Sequence, residues 1–286
     1  FPLSRNPNDL FFFSKYLIFC KEVIKDSQKY VPEFLEDIVR KSLNCIHFIM
    51  TPDGQLPLFN GANSIKLTQI ENYLKDYKPD IKNNVLGGLH RIRHKNHFVI
   101  MDIDSPPQKR FSRSYQSGPL SFEYFLDGKK IISNSGFGNN ISKKAELLSR
   151  LTACQSTLTI NDTSITKFET NKMLNKVFGN SIKNSFKSFD LATKDENGII
   201  GCSATNNGYE KKFGCTHKRE VCIDKENNCL KGTDQIFKVK DGYPIRFAFR
   251  FHINPELTAV KTMSGNSALI QISKNKSLLF TISDGN

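Results

Sequence analysis

Apolar residues recur at two different periods along the chain, and the change between them falls near residue 85. Before it the spacing is helical. Asn6-Pro7 with Asp9 close behind is a helix start. Asn caps the first turn, Pro fits its first position, and an acid sits at the positive end of the helix dipole. The apolar body follows from residue 10 to about residue 24. A second helix opens at Pro32, with Phe34, Leu35, Ile38, Val39, Leu43, Ile46 and Ile49 forming one stripe. "TPDGQLPLFNGAN" breaks that stripe with Pro, Gly and Asn, and a shorter helix is predicted over 64–78, with Leu67, Ile70, Tyr73 and Leu74 on one side.

Beyond residue 85 the period is two. "HFVIMDID" is a strand stopped by "SPP", and "PLSFEYFLDGKKIISNSG" is two strands joined by Asp127-Gly128, the dipeptide of a tight type I′ hairpin. Further strands are predicted at 155–160, 199–205, 209–223, 228–239, 245–253, 267–273 and 276–282. In the first of these Ser156, Leu158 and Ile160 share one face while Gln155, Thr157 and Thr159 share the other, and Asn161-Asp162 supplies a turn. The pattern implies an α+β chain: a helical segment over 1–82, then a large antiparallel β-sandwich over 85–286.

The bulk numbers narrow the chemistry. Among 286 residues, 38% are hydrophobic, enough for a packed core, and no apolar run reaches the length of a membrane span. The chain opens on Phe1 without a signal-like segment and reads as a fragment or processed form. Its formal charge of +13 favours anionic partners, yet Lys and Arg are scattered and form no run of five or six. No recognition helix, RNP-like aromatic pair or zinc finger accompanies the charge, so nucleic acid is an unlikely partner. Cys215, Cys222 and Cys229 with His217 suggest zinc, but no C-x-x-C knuckle is present, and free thiols are the preferred reading of the seven cysteines. His90, His94 and His97 suggest a metal too; on one continuous strand 97 would point away from 90 and 94, which favours a solvated strand entrance. "NSGFGNN" at 134–140 is glycine-rich but precedes no strand-to-helix unit, and carries little weight as a phosphate loop.

Six separated blocks carry a resemblance that spans nearly the whole chain: "LSRNP", "PLFNGA", "GPLSFEYFLDGKKIISNSG", "RLTACQSTLTI", "NNGYEKKFGCTHKR" and "RFHINP". They occur in the order found in heparinase II/III-like proteins. The resemblance implies the last helices of an α/α toroid followed by the β-sandwich, with a cleft between them. It also implies a polysaccharide lyase acting on acidic, uronate-containing polysaccharide, a substrate class that favours the periplasm or the cell exterior. β-Elimination needs the uronate carboxylate neutralised, a base for the C5 proton and an acid for the leaving oxygen.

Carried over block by block, Gln116 and Gln155 stand where the family usually has histidine, and Pro2, Asn206 and Asn254 look like further histidine replacements. Several family members hold a divalent metal on His and Asp ligands, whereas here no metal or other cofactor is expected. The framing residues persist: Arg5, Asn6, Tyr115, Gly118, Phe122, Glu123, Gly136, Arg150, Thr152, Gly208, Tyr209, Arg250 and His252. Of these, Arg5, Asn6, Tyr115, Glu123 and Arg150 are the candidate substrate-binding residues, Arg150 as an anion-binding fork. Asn6 is preferred as a helix cap and His252 as a structural histidine. Glu123 is either an exposed strand carboxylate or a cleft residue orienting Arg150 or a sugar. A degenerate lyase with little activity of its own is the first functional reading. A non-catalytic glycan-binding or envelope protein is the second.

Overall fold

The computed structural model describes residues 1–240 and 245–283. The chain begins with α1 (Pro7–Asp26) and α2 (Glu33–Ile49). Asn6 caps α1 through its side chain, which accepts from Asn8 N at 2.9 Å, an interaction of about 1 kcal/mol. The third helix is shorter than the pattern predicts: a 3₁₀ turn over Leu67–Ile70 runs into α3 (Glu71–Asp76). No side chain caps its start, and packing of Leu67, Ile70 and Leu74 holds it.

The strands follow. They are β1 (Val85–Leu86), β2 (Leu89–His94), β3 (His97–Asp102), β4 (Phe122–Leu126) and β5 (Lys129–Ser133). After α4 (Lys143–Leu148) come β6 (Leu158–Ile160), α5 (Lys172–Phe178), β7 (Ser188–Glu196) and β8 (Ile199–Asn206). The chain continues through α6 (Glu210–Phe213), β9 (Cys215–Asp224), β10 (Cys229–Lys238), β11 (Phe247–Phe249) and β12 (His252–Ile253). It closes with β13 (Thr258–Lys261), β14 (Ser267–Ser273) and β15 (Lys276–Thr281). All pairs are antiparallel, in sheets ordered β1-β2-β3-β4-β5-β12, β10-β9-β8-β7, β11-β6 and β13-β14-β15.

Alternation decides which layer each strand residue joins. Leu89, Phe98, Ile100 and Phe125 pack into one core with Leu10, Phe11, Val39, Leu43 and Ile46 of the helices. Their neighbours Ile92, Val99, Met101, Phe122 and Tyr124 point the other way and meet Cys202, Ala204, Val221 and Ile223 of the second sheet. The six-stranded sheet is therefore the middle of three layers, with helices on one face and the β7–β10 sheet on the other. A third core, built on Tyr115, Leu158, Ile160, Ile182 and Tyr209, lies beneath the long connections.

Several expectations are corrected. The strand predicted over 155–160 is confined to 158–160, because 152–154 form a 3₁₀ turn and Gln155 follows it. The strand predicted over 209–223 starts at Cys215, after the single turn of α6, which Gly214 ends in the left-handed conformation (φ 66°). His90, His94 and His97 do not lie on one strand. The chain reverses at Lys95-Asn96, so His94 pairs directly with His97 and their side chains share a face. All seven cysteines are free thiols.

One surface of the helical layer is unusual. Helix α1 buries Leu10, Phe11 and Ile18, yet it also exposes Phe12, Phe13, Tyr16, Phe19 and Val23. A helix apolar all round expects cover on both sides. The unaltered chain is expected to self-associate through this face, and Phe12→Lys/Phe13→Lys/Phe19→Lys to be monomeric with the same helix content, as read by light scattering and circular dichroism; equal scattering from the two proteins would show that this face does not drive association.

Candidate functional site

The two glutamines meet. Gln116 and Gln155 lie on separate connections, and both amides donate through Nε2 to the same carbonyl, Ser149 O, at 3.0 and 2.8 Å. Gln116 also donates to Gly136 O at 2.8 Å and accepts from Gly61 N at 3.0 Å through Oε1, so its amide has a partner in every role. Gly61 has to be glycine here: its φ is 101°, and a Cβ would collide with Ser114. Both glutamines are buried. An amide neither takes up nor releases a proton near neutral pH, so this pair can position neighbours but cannot perform acid–base catalysis.

Arg150 is next to that carbonyl in sequence but points elsewhere. It is fully buried, and donates through Nε to Tyr115 O (2.8 Å), through Nη1 to Asn180 O (2.6 Å) and through Nη2 to Ser112 O (3.0 Å). Its guanidinium stacks 3.9 Å from the centre of the Phe168 ring. Burial pushes its pKa down to about 10. The fork thus holds three backbone carbonyls in place of an external anion, which corrects the anion-binding reading. Tyr115 is likewise buried, its hydroxyl has no hydrogen-bond partner among the described residues, and burial pushes its pKa up.

Arg5 is a second internal pin. Its left-handed backbone (φ 58°) directs the guanidinium inward, where Nη2 contacts Asp102 Oδ1 at 2.5 Å and Gly88 O at 3.0 Å. Nε reaches Gly87 O (3.1 Å) and Nη1 reaches Ser105 O (2.8 Å). Asn60, also left-handed (φ 55°), donates to Arg5 O at 3.3 Å. Asn6 reaches Ser114 Oγ at 3.4 Å in addition to capping α1. The first helix, the loop before residue 64 and the connection after β3 are thereby joined at one buried point. Asp102 and Asn60 were not singled out from the sequence, although "HFVIMDID" places an acid at the end of a wholly buried strand.

Glu123 is not an exposed carboxylate: it is fully buried on the face of β4 turned towards the helices. Lys130 Nζ lies 3.2 Å from it, and Asn134 N donates to it at 3.3 Å. Burial raises its pKa, against the opposing charge of Lys130. A larger polar group went unread. Arg219 grips Asp234 with Nε and Nη2 at 2.7 and 3.0 Å, while His217 Nε2 lies 2.7 Å from the same carboxylate. Arg219 Nη1 then donates to Ser156 O (2.6 Å) and Leu120 O (3.0 Å), bracing the segment that carries Gln155. The signal was the "HKR" that ends the block "NNGYEKKFGCTHKR", where the sequence reading weighs His217 only with the nearby cysteines.

The remaining positions are accounted for separately. Asn206 Nδ2 faces His217 Nδ1 at 3.4 Å, Asn254 donates to Lys130 O at 3.2 Å, and Pro2 O accepts from Arg5 N at 3.0 Å. His252 Nε2 lies 3.0 Å from Ala153 O. Among the described residues no group of three or more His, Cys, Asp or Glu converges as metal ligands. No described helix is long and apolar enough to cross a membrane.

The family model for the heparinase II/III-like C-terminal region matches residues 78–286. The chain belongs to the heparinase II/III-like family. No curated relative matches it by sequence. The likeness of this heparinase II/III-like chain to solved structures extends into its helices. A mutant of the heparan sulfate lyase HepC from Pedobacter heparinus is similar over 100% of this chain and 46% of its own, with TM-score 0.72 and 14% identity. The crystal structure of heparinase III is similar over 96% of this chain and 46% of its own, with TM-score 0.67 and 13% identity. HepC itself covers 96% of this chain and 44% of its own, with TM-score 0.67 and 16% identity. At such identities the likeness establishes the fold, and the chain spans less than half the length of each.

Proposed function

We propose that this heparinase II/III-like chain recognises acidic, uronate-containing polysaccharide and has little or no lyase activity by itself. The observation that carries the reading is the amide pair. Gln116 and Gln155 stand where the family resemblance calls for histidine, they converge on Ser149 O, and neither offers a titratable group for β-elimination. The experiment is absorbance in the ultraviolet band of the unsaturated uronate product, with heparin, heparan sulfate and alginate as substrates. The expected result is no product above background. Product that Gln155→Ala abolishes would overturn the reading.

The helical layer, about residues 1–82, is proposed as the closing part of an α/α toroid and 85–286 as the sandwich domain. Two features support this. The outer face of α1 is apolar, and a groove of about 660 Å³ opens between α1, α2 and α3, with Lys21, Leu43 and Tyr73 in its walls. Further helices of a longer chain would cover both. A substrate of this class favours the periplasm or the cell exterior.

A further inference from the structure

The charge that the sequence scatters is partly gathered by the fold. Two distant segments, 106–121 and 163–187, hold eight Lys and Arg and a single carboxylate, Glu169. They pack against each other. Ile182 N donates to Ser112 Oγ at 3.0 Å, Arg150 joins Ser112 O to Asn180 O, and the Arg113 side chain fills the space beside Gly179. Within the second segment Lys183 N donates to Lys167 O at 2.7 Å, bringing those two lysines together.

The signs are sorted by depth. Lys109, Arg110, Arg113, Lys167, Lys176 and Lys183 are all exposed, whereas Glu169 is buried. Glu169 Oε1 accepts from Thr170 N and Asn171 N, both at 3.0 Å, and among the described side chains Lys183 (3.3 Å) and Lys109 (3.8 Å) lie within reach of its carboxylate. Among the described residues Arg110, Arg113, Lys167 and Lys176 have no carboxylate at ion-pair distance. Asp162, just outside the second segment, is engaged by Arg246 at 2.7 Å. The result is a composite cationic surface whose one negative group is turned inward.

We propose that this surface is a binding site for a linear sulfated or carboxylated polysaccharide. The inference rests on the acidic-polysaccharide reading above and assigns it a location. Unpaired cations that are already fixed on a folded surface attract a dense polyanion and release its counterions on contact. A hydrated polyanion fits better than an anionic bilayer. Outside α5, no large apolar residue of the two segments is exposed, so most of the surface has nothing to insert into lipid. The surface is also tied to the amide pair: Arg150 anchors the 106–121 and 163–187 segments, and Ser149 beside it accepts from both glutamines.

The test compares binding of heparin and of alginate by titration calorimetry at low and physiological salt. Three proteins are used: the unaltered chain, the variant Lys109→Ala/Arg110→Ala/Arg113→Ala, and a control that removes equal charge elsewhere, Lys66→Ala/Lys78→Ala/Lys261→Ala. The first variant is expected to lose about tenfold or more in affinity with a shallower salt dependence, and the control less than about twofold. Circular dichroism should be the same for all three, since every altered side chain is exposed. Tight binding that the first variant retains, or an equal loss in both variants, overturns the assigned location and leaves the broader reading standing. Failure of the unaltered chain to bind either polymer overturns the broader reading itself. Tighter binding to phosphatidylserine vesicles than to heparin, lost in the same variant, replaces the polysaccharide with a membrane and overturns the proposal.

Discussion

Arg150→Ala is expected to lower the unfolding free energy by about 3–5 kcal/mol, with the transition midpoint in urea falling and its slope unchanged. Tyr115 O and the part-buried Asn180 O lose their donor at once, while Ser112 O keeps only the bond from Tyr115 N at 3.1 Å. Each orphaned carbonyl costs about 1–3 kcal/mol, partly relieved if water enters. The stack on Phe168 is lost as well, and the vacated volume adds a cavity. Arg150→Lys should recover less than half, because one ammonium on a flexible stem cannot address three carbonyls in the directions of a planar fork. A loss below about 1 kcal/mol for the alanine variant would mean that the guanidinium is not the pin described here.

Acidification is expected to cost a comparable amount. Burial holds the His90 imidazole down at about 4, against an ordinary 6.5, and its Nδ1 has no partner among the described residues. The unfolded chain therefore takes up this proton once pH falls below about 6.5, while the folded protein resists until about 4. Stability from this group is complete above the upper value and declines through the window, by about 3 kcal/mol at its lower end. Burial also lowers His47, His97 and His217, so they act in the same direction. His90→Phe keeps a ring between its neighbours and removes the titration. The variant's stability, followed by urea unfolding from pH 7 to pH 4, should fall by about 3 kcal/mol less than that of the unaltered chain. Parallel curves would exclude His90 as the source.

What could be read in the sequence was whatever is local. Asn6-Pro7 fixes the start of α1 by chemistry within a few residues, and Asp127-Gly128 makes its hairpin by taking positive φ at both positions (51° and 78°). Strand β7 was missed because it is an edge strand with most of its residues in water, so no alternation marks it. Glu123 could not be assigned for a different reason. Period two says which residues share a face, but not that helices cover the face opposite the second sheet. The site was the least legible part. Matching the family's blocks picked out Gln116, Gln155 and Arg150, yet whether a polar side chain there faces a ligand or a backbone carbonyl depends on segments far away in sequence. His94 and His97 make the same point in miniature: a two-residue reversal decides whether they oppose or face each other.

The first core described above crosses what composition suggests is a boundary. Leu89, Phe98, Ile100 and Phe125 pack with α1 and α2, while the connection over 78–84 is mostly exposed. Asn44 clasps that connection at Asp80, through bonds of 2.8 and 2.9 Å. A protease cutting beside Lys82 would therefore sever the backbone without separating the pieces. The nicked protein should travel as one species through gel filtration and split into two bands only in denaturant. For anyone trimming this molecule, the helices belong with the sheet: a chain begun at residue 85 would present four large apolar side chains to water in place of a finished surface.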